Sequence, residues 1–194
     1  MIKDFIDQKV IFTQKNDIHL REILDQYKID SLSSMNQTHS NTVLSVDKSG
    51  EYQCDALISK KSGLGLLVKT ADCLPILVKS NHKISAIHAG WRGLQKNIDE
   101  IVFKNFKKNS KVFIGPHAKS CCYEVKYDVA KYFKNFIVKR EGKLFLDLES
   151  KVINTSKRFG FDVEVVDICT ICNTLFNSFR RDHTKERQFG LIWL

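Results

Sequence analysis

Four short apolar runs, at 56–59, 64–68, 74–78 and 84–88, constrain this chain more than any other feature, because only brief stretches rich in Gly, Ser, Asn or Lys part them. Each is too short for a helix and lacks the alternation of a half-exposed strand, so each reads as a buried strand. Around them the spacing changes. Leu94, Ile98, Ile101, Val102 and Phe106 recur at helical intervals with Lys96, Glu100, Lys104 and Lys107 opposite, and Leu20, Ile23, Leu24 and Tyr27 form a shorter stripe over 18–29 with Asp17 as its cap. Further on, 112–115 reads as strand, Val129, Ala130, Phe133, Phe136 and Ile137 as a helical stripe, and 144–148 as strand. Then 152–159 reads as helix, 161–168 as a β-branched strand and 171–179 as a last short helix. The expected class is α/β (α+β), with mixed sheets and flanking helices.

A chain of 194 residues can bury one sizeable core, and no repeat or low-complexity run divides it, so one domain over 1–194 is expected. Asp4 and Asp7 interrupt the apolar start, which therefore does not read as a secretory signal, and no run approaches the roughly 18 apolar residues of a membrane span. The expectation is a cytoplasmic protein with no membrane partner. Its six cysteines then read as thiols, ligands or catalytic groups rather than disulfides. The net charge of +9 comes from lysines scattered from Lys3 to Lys185 without an Arg-rich block, so no nucleic-acid partner is expected.

Three polar segments interrupt these apolar surroundings at strand edges: 36–40 with Gln37 and His39, 70–73 with Asp72 and Cys73, and 88–93 with His88, Arg92 and Gly93. Polar groups there either satisfy one another or line a site. His39, Cys73 and His88 offer two imidazoles and one thiolate, a donor set that suits Zn²⁺ better than Mg²⁺ or Ca²⁺ and leaves one position open for water or substrate. They lie 34 and 15 residues apart (39 to 73, 73 to 88), so spacing alone leaves ordinary hydrogen-bonded histidines and a buried thiol as the alternative. Gly90 and Gly93 allow a tight turn into a helix whose free amides, with Arg92, could hold phosphate; a structural turn with a paired Arg92 is the competing reading. Cys169 and Cys172 form a C-x-x-C pair with His183 eleven residues on, either a second metal site or an inward-packed cysteine, and the adjacent Cys121 and Cys122 are expected to point apart.

Together these segments resemble the family called YfiH-like, laccase-domain, multicopper polyphenol oxidase-like or purine nucleoside phosphorylase proteins. The resemblance rests on QTHS at 37–40, CDALIS at 54–59, TADCLPIL at 70–77, HAGWRGL at 88–94, FIGPHAKSCCYEV at 113–125, LDL at 146–148, CT at 169–170, and FRRD, Arg187 and LIWL at the end. Ser40 and Glu186 stand where the family usually has glycine. The resemblance implies a mixed α/β sandwich similar to that of deamidating toxins, and zinc held at His39, Cys73 and His88. It also implies phosphorolysis of adenosine, inosine, guanosine and methylthioadenosine, and deamination of adenosine.

For such chemistry Asp72 is the candidate proton carrier or, alternatively, the residue that orients His39 or His88. Gln37, Arg92, Gly93, Arg180 and Arg187 are the candidate phosphate and substrate contacts, with Arg181 a further arginine near them. Partners are small: purine nucleosides and phosphate, with the chain a monomer or small homo-oligomer. Three rivals use the same residues. Cys73 could be a nucleophile activated by His88 in a hydrolase or amidase of peptidoglycan-precursor editing. The chain could be a copper-dependent polyphenol oxidase, though one cysteine and two histidines do not build a multicopper centre. It could also bind without catalysing.

Overall fold

The apolar runs are continuous because the two sheets they enter are each covered on both sides. In a computed structural model describing residues 5–15 and 20–194, the first strands are β1 (Val10–Phe12), β2 (Ser31–Met35), β3 (Val43–Ser45), β4 (Gly50–Tyr52) and β5 (Ala56–Ser59). They are followed by β6 (Leu64–Thr70), β7 (Leu74–Ser80), β8 (Lys83–Ala89), β9 (Lys111–Ile114) and β10 (Glu124–Val125). The last are β11 (Ile137–Arg140), β12 (Lys143–Leu146), β13 (Asp162–Val165) and β14 (Gln188–Ile192). Helices are α1 (Leu20–Gln26), α2 (Trp91–Gln95), α3 (Ile98–Phe103), α4 (Tyr127–Ala130), α5 (Leu148–Phe159) and α6 (Phe179–Asp182). Asp17, the expected cap of α1, lies outside the described residues.

The strands form a six-stranded sheet ordered β13-β9-β7-β8-β5-β3, a five-stranded sheet ordered β1-β14-β6-β2-β4, and a small sheet β10-β12-β11, each of the two larger ones mixing parallel and antiparallel pairs. The two large sheets face each other. Val10, Phe12, Leu66 and Val68 from one meet Leu57, Leu77, Ala86 and Phe113 from the other. The opposite faces of the same strands are buried too: Ile76, Val78 and Ile87 under Ile98, Val102 and Phe103 of α3 and Val152 of α5, and Ile11, Leu67 and Leu191 under Ile23 of α1. The layers run helix, sheet, sheet, helix.

Three expectations need correction. The helix expected from Leu94 to Phe106 is split into α2 and α3 at Asn97, which takes a left-handed conformation (φ 57°) that asparagine tolerates better than most residues. The stripe at 129–137 is broken into the four-residue α4 and a 3-10 turn at Lys134–Phe136; Phe133 between them drops into the core and Ile137 enters β11, paired with Leu146. The segment 171–179 is not a helix, because the Arg181 guanidinium turns inward and binds the carbonyls of Thr170, Ile171, Asn173 and Phe176 at 2.7–3.3 Å, fixing them in an irregular loop. No helix among the described residues is long and apolar enough to cross a membrane.

Candidate metal centre and substrate cleft

Antiparallel pairing brings the candidate donors together despite their separation in sequence. Pro75 on β7 sits opposite His88 on β8, so Cys73, just before β7, and His88, near the end of β8, share one edge of the six-stranded sheet. His39 arrives from the loop after β2. Its Nε2 lies 3.8 Å from Cys73 Sγ, its ring is 4.8 Å from that of His88, and one donor atom from each of the three residues lies within 4.8 Å of the others.

Asp55, which the sequence reading passed over as part of a strand motif, organises this arrangement. It is fully buried just before β5, where its carbonyl accepts from the His88 amide at 2.8 Å and its Oδ1 meets His88 Nδ1 at 2.7 Å. The same carboxylate accepts from the amides of Thr38, His39 and Ser40 at 3.2, 3.0 and 2.7 Å, and from the Ser40 hydroxyl at 2.6 Å. It therefore holds the His39 loop, including His39 itself at φ 60°, and leaves the Nε2 of His88 to face the cleft. Ser40 supplies two of these bonds, of which the hydroxyl one is beyond the reach of a glycine at that position. The sequence signal was an acid inside an apolar run, which burial makes costly unless it is fully bonded.

Burial would raise the Asp55 carboxyl, but hydrogen bonds from His88 and Ser40 hold it well below the usual carboxylate range. Burial likewise pushes the Cys73 thiol up, and the charge and hydrogen bonds of His88 and His39 outweigh it, bringing it down to about 6. Burial disfavours a charged His88; the Cys73 and Asp55 charges beside it win and raise it to about 9. A deprotonated sulfur and two imidazoles are the ionisation states a soft cation needs once it replaces the proton. Gly90 shapes the same spot, since a Cβ there would lie 3.0 Å from His39 Cδ2 and 3.2 Å from Cys73 Sγ. The residues fit a metal ion.

The donors open into a cleft of about 540 Å³, lined also by Gln37, Asp72, Trp91, Arg92, Tyr123, Phe179, Arg180 and Arg187. A larger cleft of about 700 Å³, along Ser45, Lys60, Lys61 and Lys83, has no histidine or cysteine in its wall among the described residues. Arg92 stacks on Trp91 (4.5 Å) and is exposed at the mouth. Arg180 lies over Tyr123 (5.2 Å) with Nη1 donating to the Glu124 carbonyl at 2.8 Å, and Arg187 donates to the carbonyls of Thr184 and Glu186.

Other expected contacts fall differently. The Gln37 amide is committed at both ends to the Lys69 backbone (2.7 and 2.9 Å), where it fastens the His39 loop to β6. Gly93 is not in the cleft lining; it is buried where a Cβ would stand 3.0 Å from the Ser40 carbonyl, so its role is close packing. With α2 only five residues long, the helix dipole expected behind Arg92 is short. Asp72, at φ 88°, orients neither histidine: its oxygens accept from the Thr170 hydroxyl and the Arg180 amide, both at 2.7 Å. Arg181 serves the 170–176 loop rather than the cleft. His183 stacks on Phe179 instead of joining Cys169 and Cys172, which are met by Cys121 and Cys122.

The family model described as multi-copper polyphenol oxidoreductase laccase matches residues 11–194. A purine nucleoside phosphorylase of Aquifex aeolicus is 36% identical over 163 residues, covering 80% of this chain and 79% of that one. Another of Clostridium acetobutylicum is 32% identical over 211 residues, covering 94% and 85%. Among solved structures, a Neisseria meningitidis DUF152 protein superposes with a TM-score of 0.81 at 29% identity, over 90% of this chain and 79% of that one. The hypothetical protein YfiH of Bacillus licheniformis does so with a TM-score of 0.81 at 25% identity, over 89% and 78%. With the match extending from β1 to the last residue and the same fold in these relatives, the chain belongs to the YfiH-like, multi-copper polyphenol oxidoreductase laccase family.

Proposed function

We propose that this chain, as one catalytic domain, is a zinc-dependent purine nucleoside phosphorylase that cleaves adenosine, inosine, guanosine and methylthioadenosine with phosphate and also deaminates adenosine. The observation that carries the reading is a cleft with His39, Cys73 and His88 at its floor, aromatic faces at Trp91, Tyr123 and Phe179, and guanidinium groups at Arg92, Arg180 and Arg187. The names of the Aquifex and Clostridium relatives, both purine nucleoside phosphorylases, support purine nucleosides and phosphate as the substrate class. Two histidines and one thiolate favour zinc over harder cations, and the two histidines are too few for a multicopper centre. When bound, zinc supplies Lewis-acid activation of water or of the purine.

In phosphorolysis a phosphate oxygen forms a bond to C1′ of the ribose as the bond from C1′ to the purine nitrogen breaks, with its electron pair leaving on the base. Arg92, with Arg180 and Arg187 across the cleft, holds phosphate. The aromatic faces clamp the purine ring. Asp72, held between Thr170 and Arg180, keeps a lone pair on each oxygen and relays to the departing base the proton that the attacking phosphate hydroxyl gives up. Base release from a nucleoside panel, with and without phosphate and followed by chromatography, tests this: base and ribose phosphate should form only when phosphate is present, and adenosine should also give inosine. No base release from any nucleoside in phosphate would overturn the reading.

Arg92 carries the first specific expectation. Lysine keeps the charge and loses the bidentate fork. Arg92→Lys should therefore raise the phosphate KM about 10-fold, the loss of one good charge-assisted contact, with the nucleoside KM changed far less. Equal changes in both would remove Arg92 from the phosphate site.

A second reading has its own observation. Cys73 lowered beside a raised His88, with Asp55 behind the imidazole, has the layout of a cysteine nucleophile, its base and the acid that orients the base. A sulfur committed to zinc is a poor free nucleophile, so metal dependence separates the two.

A further inference from the structure

Away from the cleft floor, a second group of soft donors assembles from two loops. Cys121 and Cys122 lie on the turn leading to β10, where the amides of Cys122 and Tyr123 both donate to the Lys119 carbonyl (3.0 and 2.9 Å). Cys169 and Cys172 lie on the loop after β13. The loops are joined by a parallel bridge between His117 and Cys169, with the His117 amide donating to Ile168 at 3.3 Å and the Thr170 amide donating to His117 at 2.9 Å. The adjacent cysteines do not diverge: the Cys172 sulfur is 3.6 Å from that of Cys121 and 2.9 Å from that of Cys122, and all four sulfurs lie within 4.8 Å of one another. Four sulfurs held tetrahedrally at about 2.3 Å from zinc stand roughly 3.8 Å apart, the scale seen here.

We propose that Cys121, Cys122, Cys169 and Cys172 form a second metal site, a tetrathiolate that binds a soft divalent cation such as Zn²⁺ and ties the loop that brings Tyr123 to the cleft to the loop whose Thr170 holds Asp72.

Three features of the surroundings support it. Backbone amides of Ile171 and Cys172 in the C-x-x-C turn, and of Lys119 on the facing loop, point at the Cys169 sulfur, the outer hydrogen bonding that orients a thiolate ligand. Four thiolates around a divalent cation leave two negative charges, and cationic groups stand nearby: Arg140 donates to the Cys121 carbonyl at 2.7 Å, and Arg181 to those of Thr170 and Ile171 at 2.7 and 3.0 Å. A disulfide would join one pair and leave the other two sulfurs facing it, whereas a tetrahedral cation uses all four. The consequence for the cleft follows from connectivity. Tyr123 adjoins Cys122, and Thr170, one residue from Cys169, bonds Asp72, so the metal would fix the positions of both Tyr123 and Asp72.

The test uses the full chain purified under reducing conditions. Elemental analysis should find about two metal equivalents in the parent, one in Cys73→Ala, one in Cys169→Ser and none in the double variant, since the sites fill independently. Cys73→Ala also covers the case in which Cys169→Ser does not fold. Loaded with Co²⁺ alone, it should show an intense sulfur-to-cobalt charge-transfer band, and stripping its metal should lower its Tm. A metal-free Cys73→Ala protein, or a disulfide between Cys122 and Cys172 in freshly reduced protein, would overturn the second site without touching the phosphorylase reading, which is assayed by base release.

Discussion

Cys73→Ala is expected to lose the metal held with His39 and His88 and to lower kcat/KM for phosphate-dependent base release by about 10³-fold or more, the scale of several kcal/mol of transition-state stabilisation withdrawn at once. Cys73 is partly exposed and lies outside the three apolar clusters, so the variant should keep its fold and the metal at the four-cysteine site. Metal analysis and a nucleoside assay on the same preparation check both parts. Unchanged turnover in Cys73→Ala would remove the thiol from the chemistry under either reading of it.

The second large effect is expected at Asp55. In Asp55→Asn one acceptor oxygen becomes an NH₂ donor, which must face either the His88 Nδ1–H or the donors of Ser40 and Thr38, and each orientation sets donor against donor in a fully buried place. Each buried group left unpaired costs about 1–3 kcal/mol, so Tm should fall clearly. Because the carboxylate also orients His88 and fixes the His39 loop, metal affinity at that site should drop about 10–100-fold, the usual cost of losing an outer hydrogen-bond partner. Titration with Zn²⁺ against a competing chelator, with thermal unfolding of the metal-free form alongside, separates the two losses. A fall in Tm with unaltered affinity would make Asp55 a folding residue only.

How much of this was legible from the sequence follows from which neighbours each segment meets. Strands β5 to β8 were readable because both faces of each are covered, which leaves unbroken apolar runs. Strand β2, with Ser at three of its five positions, and β14, which begins at Gln188 and contains Gly190, carry no such run and owe their place to ladder partners far along the chain. The loop at 171–179 looked helical because its apolar spacing was intact; the Arg181 side chain that spends its hydrogen bonds on that loop's carbonyls has no signature in periodicity. At the site, polar segments at strand edges marked His39, Cys73 and His88, and the family resemblance assigned them together; their spacing did not. Asp55 was passed over because an acid beside an apolar run marks a site only once that run is known to be buried, where its charge must be fully bonded. The meeting of Cys121 and Cys122 with Cys169 and Cys172 depends on contacts such as the bridge from His117 to Cys169, between loops roughly fifty residues apart.

Metal removal followed by restoration tests the zinc-dependent phosphorylase most directly. Protein stripped by chelator under reducing conditions, with the loss verified by elemental analysis, should release no purine base from nucleoside and phosphate, should regain activity on addition of Zn²⁺, and should expose Cys73 to alkylation only while the metal is absent. Phosphate-dependent base release that persists after complete, verified metal removal, with Cys73 already alkylatable in the protein as isolated, would contradict it.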